Sequence, residues 1–276
     1  MEIRNKKIRG VLIAILAFHA IMCLLPLIWL FASSFKSNPE FFNNPGFIPD
    51  KFSPQNYSNA WVKGEFGTYF KNTIIYTVAT VIFVNIFASL ASYSMAKLKS
   101  KFVNIVYYVI IITIMIPAPG SFVQIFTQLQ NLGLLNTRTG YIMVMIAANL
   151  PTSIFIMKGF FDSIPNEVIE AAKIDGASSI KIWSRIALPL STPALATVSV
   201  LAMLSVWNEY IISAMAFSDQ KLMPIQQGLM TFQGQYQTRY DYLIAATAIS
   251  VIPLIIIYIT LNKHVLQGAT QGAVKG

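Results

Sequence analysis

Residues 170–193 read "EAAKIDGASSIKIWSRIALPLSTP", a charged, helix-forming stretch set between two long apolar runs. Glu170, Lys173, Asp175, Lys181 and Arg185 all fall within it. Ser163 and Pro165 just upstream supply a cap and a first-turn proline. The spacing therefore predicts one helix over 165–175, stopped by Gly176, and a second from Ser178 or Ser179 to about Ala187, before Pro189. Val168, Ile169 and Ala172 share one side of the first helix, and Ile180, Trp183 and Ala187 one side of the second. Ala171, Ala172, Gly176 and Ala177 keep the bend thin, so another surface can approach the backbone. Two readings fit these residues. One is a docking element; the other is a helix pair on lipid headgroups, with Lys173, Lys181 and Arg185 facing phosphates.

The rest of the chain decides what surrounds this loop. Of 276 residues, 55% are hydrophobic and 11% charged. Soluble domains carry about 25% charged residues, so an aqueous surface cannot be covered here. A membrane protein follows. The net charge of +9 does not indicate nucleic acid, because the basic residues cluster beside apolar runs rather than along one face. Cys23 is alone, which excludes an intrachain disulfide and a cysteine metal cluster. It reads as a small buried hydrophobe, and His19 four residues earlier as a packed or helix-bonded imidazole.

A helix crossing about 30 Å of hydrocarbon needs roughly 20 mostly apolar residues. Six runs are expected to cross, at about 11–33, 73–95, 102–118, 138–158, 188–212 and 242–262, within one domain spanning 1–276. The third is the shortest, ended by Pro117 and Pro119. The basic start resembles a secretory signal, but the first run exceeds an h-region of about 7–15 residues, so an uncleaved helix is expected. With the N-terminus inside, inner segments hold Arg4, Lys6, Lys7, Arg9, Lys97, Lys99, Lys101, Lys158, Lys173, Lys181, Arg185, Lys263 and Lys275. Outer segments hold Lys36, Lys51, Lys63, Lys71, Arg138, Lys221 and Arg239. The bias places both termini and the 159–187 loop in the cytoplasm.

Outside, 34–71 is rich in Pro, Gly and Asn turns and too short for a separate domain. Phe122, Ile125, Phe126 and Leu129 have helical spacing, which predicts a short helix at the outer interface. Between the last two crossings, Gln226, Gln227, Gln233, Gln235 and Gln237 join Tyr236 and Gly234 on an outer loop. No paired carboxylates, His cluster or Ser/His/Asp set gathers at one depth, so a membrane enzyme is disfavoured. No residue set suggests a metal site. A stand-alone secondary transporter would normally show buried ionisable residues or two similar halves, and neither is seen.

The opening stretch resembles the EAA motif of permease subunits in binding-protein-dependent ABC importers. Glu170, Ala171, Ala172, Gly176, Ile186, Leu188 and Pro189 occupy the motif positions, with Asp175 before the glycine. "SVWNEY", 205–210, is similar to the end of the fifth helix in carbohydrate-importer permeases, and "LQGATQGAVKG" resembles the ending of the maltose-transporter-type second permease. The resemblance implies an all-α polytopic chain of six crossings with the type I permease fold. It also implies a bacterial inner-membrane location, a second permease, two ATPase subunits and an extracytoplasmic sugar-binding protein. The 159–187 loop would be a coupling helix, touching the ATPase through Glu170, Ala171, Ala172, Asp175, Gly176 and Ala177. The tail, through Gly272, Lys275 and Gly276, would reach between the ATPases.

This chain lacks the GxxxxGK[ST] phosphate cradle. It is expected to bind no cofactor, leaving ATP and Mg to the partner subunits. For a sugar path the candidates are Tyr141, Asn149, Ser205, Asn208 and Glu209, each of which also reads as a helix–helix hydrogen bond. Gln233, Gln235, Tyr236 and Gln237 suit a saccharide or its binding protein, and equally an ordinary solvated loop. The rival within the class is a permease for a polyamine or phosphate ester. Gly268, Gly272 and Gly276 predict an irregular tail unless a partner holds it.

Overall fold

The computed structural model describes residues 6–98, 100–116, 118–234 and 238–273. Among these, no strand forms; Gln233 and Thr238 make an isolated bridge. The helices run α1 Lys6–Ser33, α2 Asn38–Asn43, α3 Gln55–Ser58, α4 Phe66–Lys97, α5 Lys101–Ile114, α6 Phe122–Asn131 and α7 Arg138–Ser163. After these come α8 Asn166–Ile174, α9 Ser179–Ile182, α10 Leu188–Leu190, α11 Thr192–Trp207, α12 Ile211–Ala216, α13 Ile225–Met230 and α14 Tyr240–Ala273. A π-helical turn, Trp183–Ala187, joins α9 to α10.

Among the described residues, four helices, α1, α4, α7 and α14, are long and apolar enough to cross a membrane. A fifth candidate is a bent pair, Ser179–Leu190 and Thr192–Trp207, at 79°. The run expected to be one helix over 188–212 is therefore broken. Pro193 has no N–H to offer the carbonyl of Pro189, which accepts instead from the Thr192 hydroxyl at 2.6 Å. Ser191, fully buried at the bend, donates its hydroxyl to the Leu188 carbonyl at 3.0 Å. The third run is also shorter than expected. α5 holds 14 residues, about 21 Å at 1.5 Å per residue. The tail differs as well: backbone expected to be irregular continues α14 to Ala273. Each glycine there weakens the helix by about 1 kcal/mol. Propagation from a formed apolar stem still adds one bond per residue without a new nucleus.

The chain divides into two compact units. The first comprises residues 1–67 and 229–252. Its 34–64 segment forms short helices and turns, secured by buried polar groups. Lys36, 1% exposed, donates its ammonium to the carbonyls of Asn44 and Gly46. The Glu40 carboxylate accepts from the backbone of Asp50 and Ser37. The Asn56 amide donates to the Ser34 and Lys36 carbonyls at 2.9 and 2.7 Å. Burial of these groups is tolerable because each meets backbone partners. Phe41 stacks on Tyr240 at 4.6 Å, fixing α2 against the start of α14.

The second unit comprises 68–228 and 253–276. One apolar cluster packs α4, α7 and α11 with the two loop helices, through Val84, Met157, Phe161, Ile169, Ile182 and Val198. Another joins Tyr76, Leu129, Tyr141, Met145, Val206 and Phe217. Here α6 turns Leu129 inward and leaves Val123 73% exposed, as its spacing predicts. The 221–225 segment is stitched to one face of α4. Asn72 donates to the Lys221 and Met223 carbonyls, Tyr76 to that of Leu222, and Thr73 accepts from the Ile225 amide. Residues 72, 73 and 76 share a face by the i, i+3, i+4 rule.

Candidate functional site

The charged loop forms two short helices with a bend at the expected place. Gly176 has φ +78°, the left-handed region that glycine enters at little cost. Around it the Ala177 amide donates to the Ala172 carbonyl and the Gly176 amide to that of Lys173, both at 3.0 Å. This is the Schellman pattern, which satisfies carbonyls the ending helix would otherwise orphan. The start of the helix differs from expectation. Ser163 closes α7, its hydroxyl turned back to the Phe160 carbonyl, and Pro165 is the cap of α8, without a side-chain bond. Ser178 caps α9, accepting from the Lys181 amide at 3.4 Å.

The loop is two-faced. Ile169, Ala172, Ile182 and Ala187 are buried, with Trp183 half-buried beside them. Glu170, Ala171, Lys173, Asp175 and Gly176 are exposed, and Ala177 is half-buried. Ala172 thus faces the chain's own core. Ile180, which the spacing put on one side with Trp183 and Ala187, is 72% exposed, and Ile182 takes the inward position. Val168 is exposed as well. Ile174, 86% exposed, was not singled out by the sequence reading. Helical phase was the available signal: Ile174 lies roughly 140° around α8 from Ile169, at 100° per residue.

The five path candidates separate by burial. Tyr141 is fully buried and its hydroxyl donates to the Glu209 carboxylate at 3.2 Å. Glu209 also accepts from the Ile212 and Ser213 amides, so it caps α12. Both belong to an interior network. Asn149 is half-buried and donates to the Met145 carbonyl at 2.8 Å. Ser205, on α11, and Asn208, just past its end, are both exposed, and the Asn208 amide donates to the Leu204 carbonyl at 2.9 Å. Glu209→Ala should lower stability by about 2 kcal/mol, as hydrogen bonds to a charged acceptor are lost. Glu209→Gln, which keeps an acceptor oxygen, should lower it by less. Thermal unfolding of the detergent-solubilised chain measures both; equal midpoints for the wild type and Glu209→Ala would remove the capping role.

On the outer loop the glutamines are not equivalent. Gln226 and Gln227 lie on α13 and donate inward, to the Trp207 and Phe217 carbonyls. These two amides are therefore tied to the chain's own backbone. Gln233 is exposed. Gln235, Tyr236, Gln237, Lys275 and Gly276 lie outside the described residues, and Gly272 is within α14.

Residues 85–271 match the model of the binding-protein-dependent transport system inner membrane component family. The chain belongs to this family.

Two relatives of the inner membrane component show how far the likeness extends. The diacetylchitobiose uptake system permease protein NgcG of Streptomyces coelicolor is 32% identical over 94% of this chain and 86% of its own. The trehalose/maltose transport system permease protein MalG of Thermococcus litoralis is 31% identical over 99% of both chains. A chain from a crystal structure of a bacterial ABC transporter for import of the acidic polysaccharide alginate superposes with a TM-score of 0.83. It is 26% identical, over 96% of this chain and 99% of that one. The matched region of this inner membrane component begins within α4 and takes in the whole charged loop.

Proposed function

We propose that this chain is a permease subunit of an ATP-driven importer of a sugar, an oligosaccharide of the kind named for its relatives. The observation that carries the reading is near-full-length likeness to permeases whose names specify diacetylchitobiose and trehalose/maltose. The chain works as one membrane domain of six crossings: the four long helices, the bent pair ending in α11, and α5. Both termini and the 159–187 loop face the cytoplasm. A second permease completes the path, two ATPase subunits bind ATP and Mg, and an extracytoplasmic binding protein delivers the sugar. This subunit is not itself catalytic.

The exposed face of the loop supports its role as the coupling element. Glu170 and Asp175 offer carboxylates to basic partner groups, while Ile174 and Ile180 offer apolar knobs around a thin bend. Ala172 acts from beneath, by anchoring that face to the core, and Ala177 from its edge. Ser205 and Asn208, exposed at the end of α11, suit the sugar path better than Tyr141 and Glu209, which hold one another; Asn149 lies between these cases. Gln233, with Gln235, Tyr236 and Gln237, meets the binding protein. The end of α14, through Gly272, Lys275 and Gly276, reaches the ATPase pair. The test is reconstitution with the partner subunits, measuring ATP hydrolysis with each candidate binding protein and its solute. Stimulation by a loaded sugar-binding protein is expected. Stimulation only by a polyamine or phosphate ester system, or solute uptake without any ATPase, would overturn the reading.

A further inference from the structure

A cavity of about 350 Å³ opens where α4 ends and α5 begins, beside the last turns of α7. Met95, Ser100, Lys101, Asn104, Lys158 and Asp162 are among its lining residues. Lys97 donates its ammonium to the Ile164 carbonyl at 3.0 Å, so the cavity lies at the end of the helices that carries the charged loop. Lys158 is held by Asp162 at 2.8 Å and stands 4.8 Å over the Tyr107 ring. Lys101 is exposed. Below the cavity, α5 has no buried residue, and Phe102, Ile105, Val109 and Ile112 form an exposed apolar stripe along it.

Charge at one end of a continuous apolar stripe, at the edge of a membrane-spanning bundle, matches the chemistry of a phospholipid. Two ammonium groups and one carboxylate leave a net charge of +1 at the lining, which suits a single phosphodiester. The Ser100 hydroxyl and Asn104 amide add neutral donors. Lys158 uses one of its three N–H donors on Asp162 and keeps others. We propose that this cavity holds the headgroup phosphate of an anionic glycerophospholipid, with its acyl chains along the exposed face of α5. A phosphatidylethanolamine headgroup fits less well, because its ammonium competes with Lys158 for Asp162. The function is that of a lipid anchor beside the loop, where basic pockets attract anionic headgroups by about 1 kcal/mol per lysine, roughly a fivefold change in binding.

The test uses the full chain, delipidated in mild detergent and titrated with phosphatidylglycerol or phosphatidylethanolamine, with bound lipid counted by native mass spectrometry. Phosphatidylglycerol should be retained in preference. Lys101→Ala should weaken its retention about fivefold, and Asp162→Asn should strengthen it by a similar factor, a gain that a misfolded variant cannot imitate. Lys71→Ala, at the opposite end of α4, should leave it unchanged. Equal retention of phosphatidylethanolamine would overturn the proposal. So would an unaltered affinity in both Lys101→Ala and Asp162→Asn, or displacement of the lipid by millimolar inorganic phosphate, which would mark a free-anion site.

Discussion

Replacing Gly176 by tryptophan is expected to reduce ATP-driven uptake about a hundredfold while the chain still inserts and packs. Nothing lies within 4 Å of a Cβ built at this glycine, so the substitution meets open space. Its local cost is the left-handed backbone, about 1–2 kcal/mol for a residue other than glycine. The buried side of the loop, Ile169, Ala172 and Ile182, is untouched. What changes is the exposed face of the bend, the proposed contact with the ATPase, which would now carry an indole. A hundredfold loss corresponds to about 3 kcal/mol of coupling, the upper end of the usual range. Gly176→Asn is the control, since asparagine enters the left-handed region readily, and it should retain most uptake. Uptake by whole cells, with insertion checked by the folded chain's detergent stability, separates the cases. Full uptake by Gly176→Trp, with the ATPase still bound, would remove this surface from the mechanism.

The largest stability effect is expected at Gly228. A Cβ there would lie 2.1 Å from Tyr69 Cδ2 and 2.4 Å from its Cγ, at the root of a ring that cannot swing aside. Tyr69 stands one turn before Asn72 and Thr73, which bind the 221–225 segment. Gly228→Ala must therefore displace either the ring or α13 from α4. Overpacking of this kind costs about 1–3 kcal/mol, and the short contact argues for about 3. Gly159→Ala, where nothing lies within 4 Å, should be neutral or slightly stabilising. Thermal unfolding in one detergent compares them. A Gly228→Ala midpoint equal to that of the wild type would mean the contact relaxes without cost.

The long helices were legible because their apolar runs are longer than any soluble pattern requires. α7 begins at the predicted residue, Arg138, and extends five residues past the predicted end, to Ser163. The loop bend was legible too, since Gly176 and the alanines around it admit few alternatives. What hydropathy could not reveal was the break at Ser191. A window averages over Pro189 and Pro193, and neither proline alone distinguishes a kinked helix from a turned one. Side-chain direction was not legible either. For Glu209 and Tyr141 the sequence left a solute contact and a helix–helix hydrogen bond both open, and in the structure they satisfy each other and the start of α12. Nor could the inward direction of Gln226 and Gln227 be read, because composition carries no phase for the six-residue helix on which they sit.

The bend at Ser191 also has a mechanical meaning. The arm Ser179–Leu190 meets α11 at 79°, so it stands almost square to the shaft it joins. At 1.5 Å per residue the arm is about 18 Å long. Swinging its free end by about 3 Å turns the shaft through roughly 10°, and side chains about 5 Å from the axis then move by only about 1 Å. With the loop as the proposed coupling element, such a crank would act as a reduction gear: a wide stroke at the loop would become a short, forceful twist at Ser205 and Asn208.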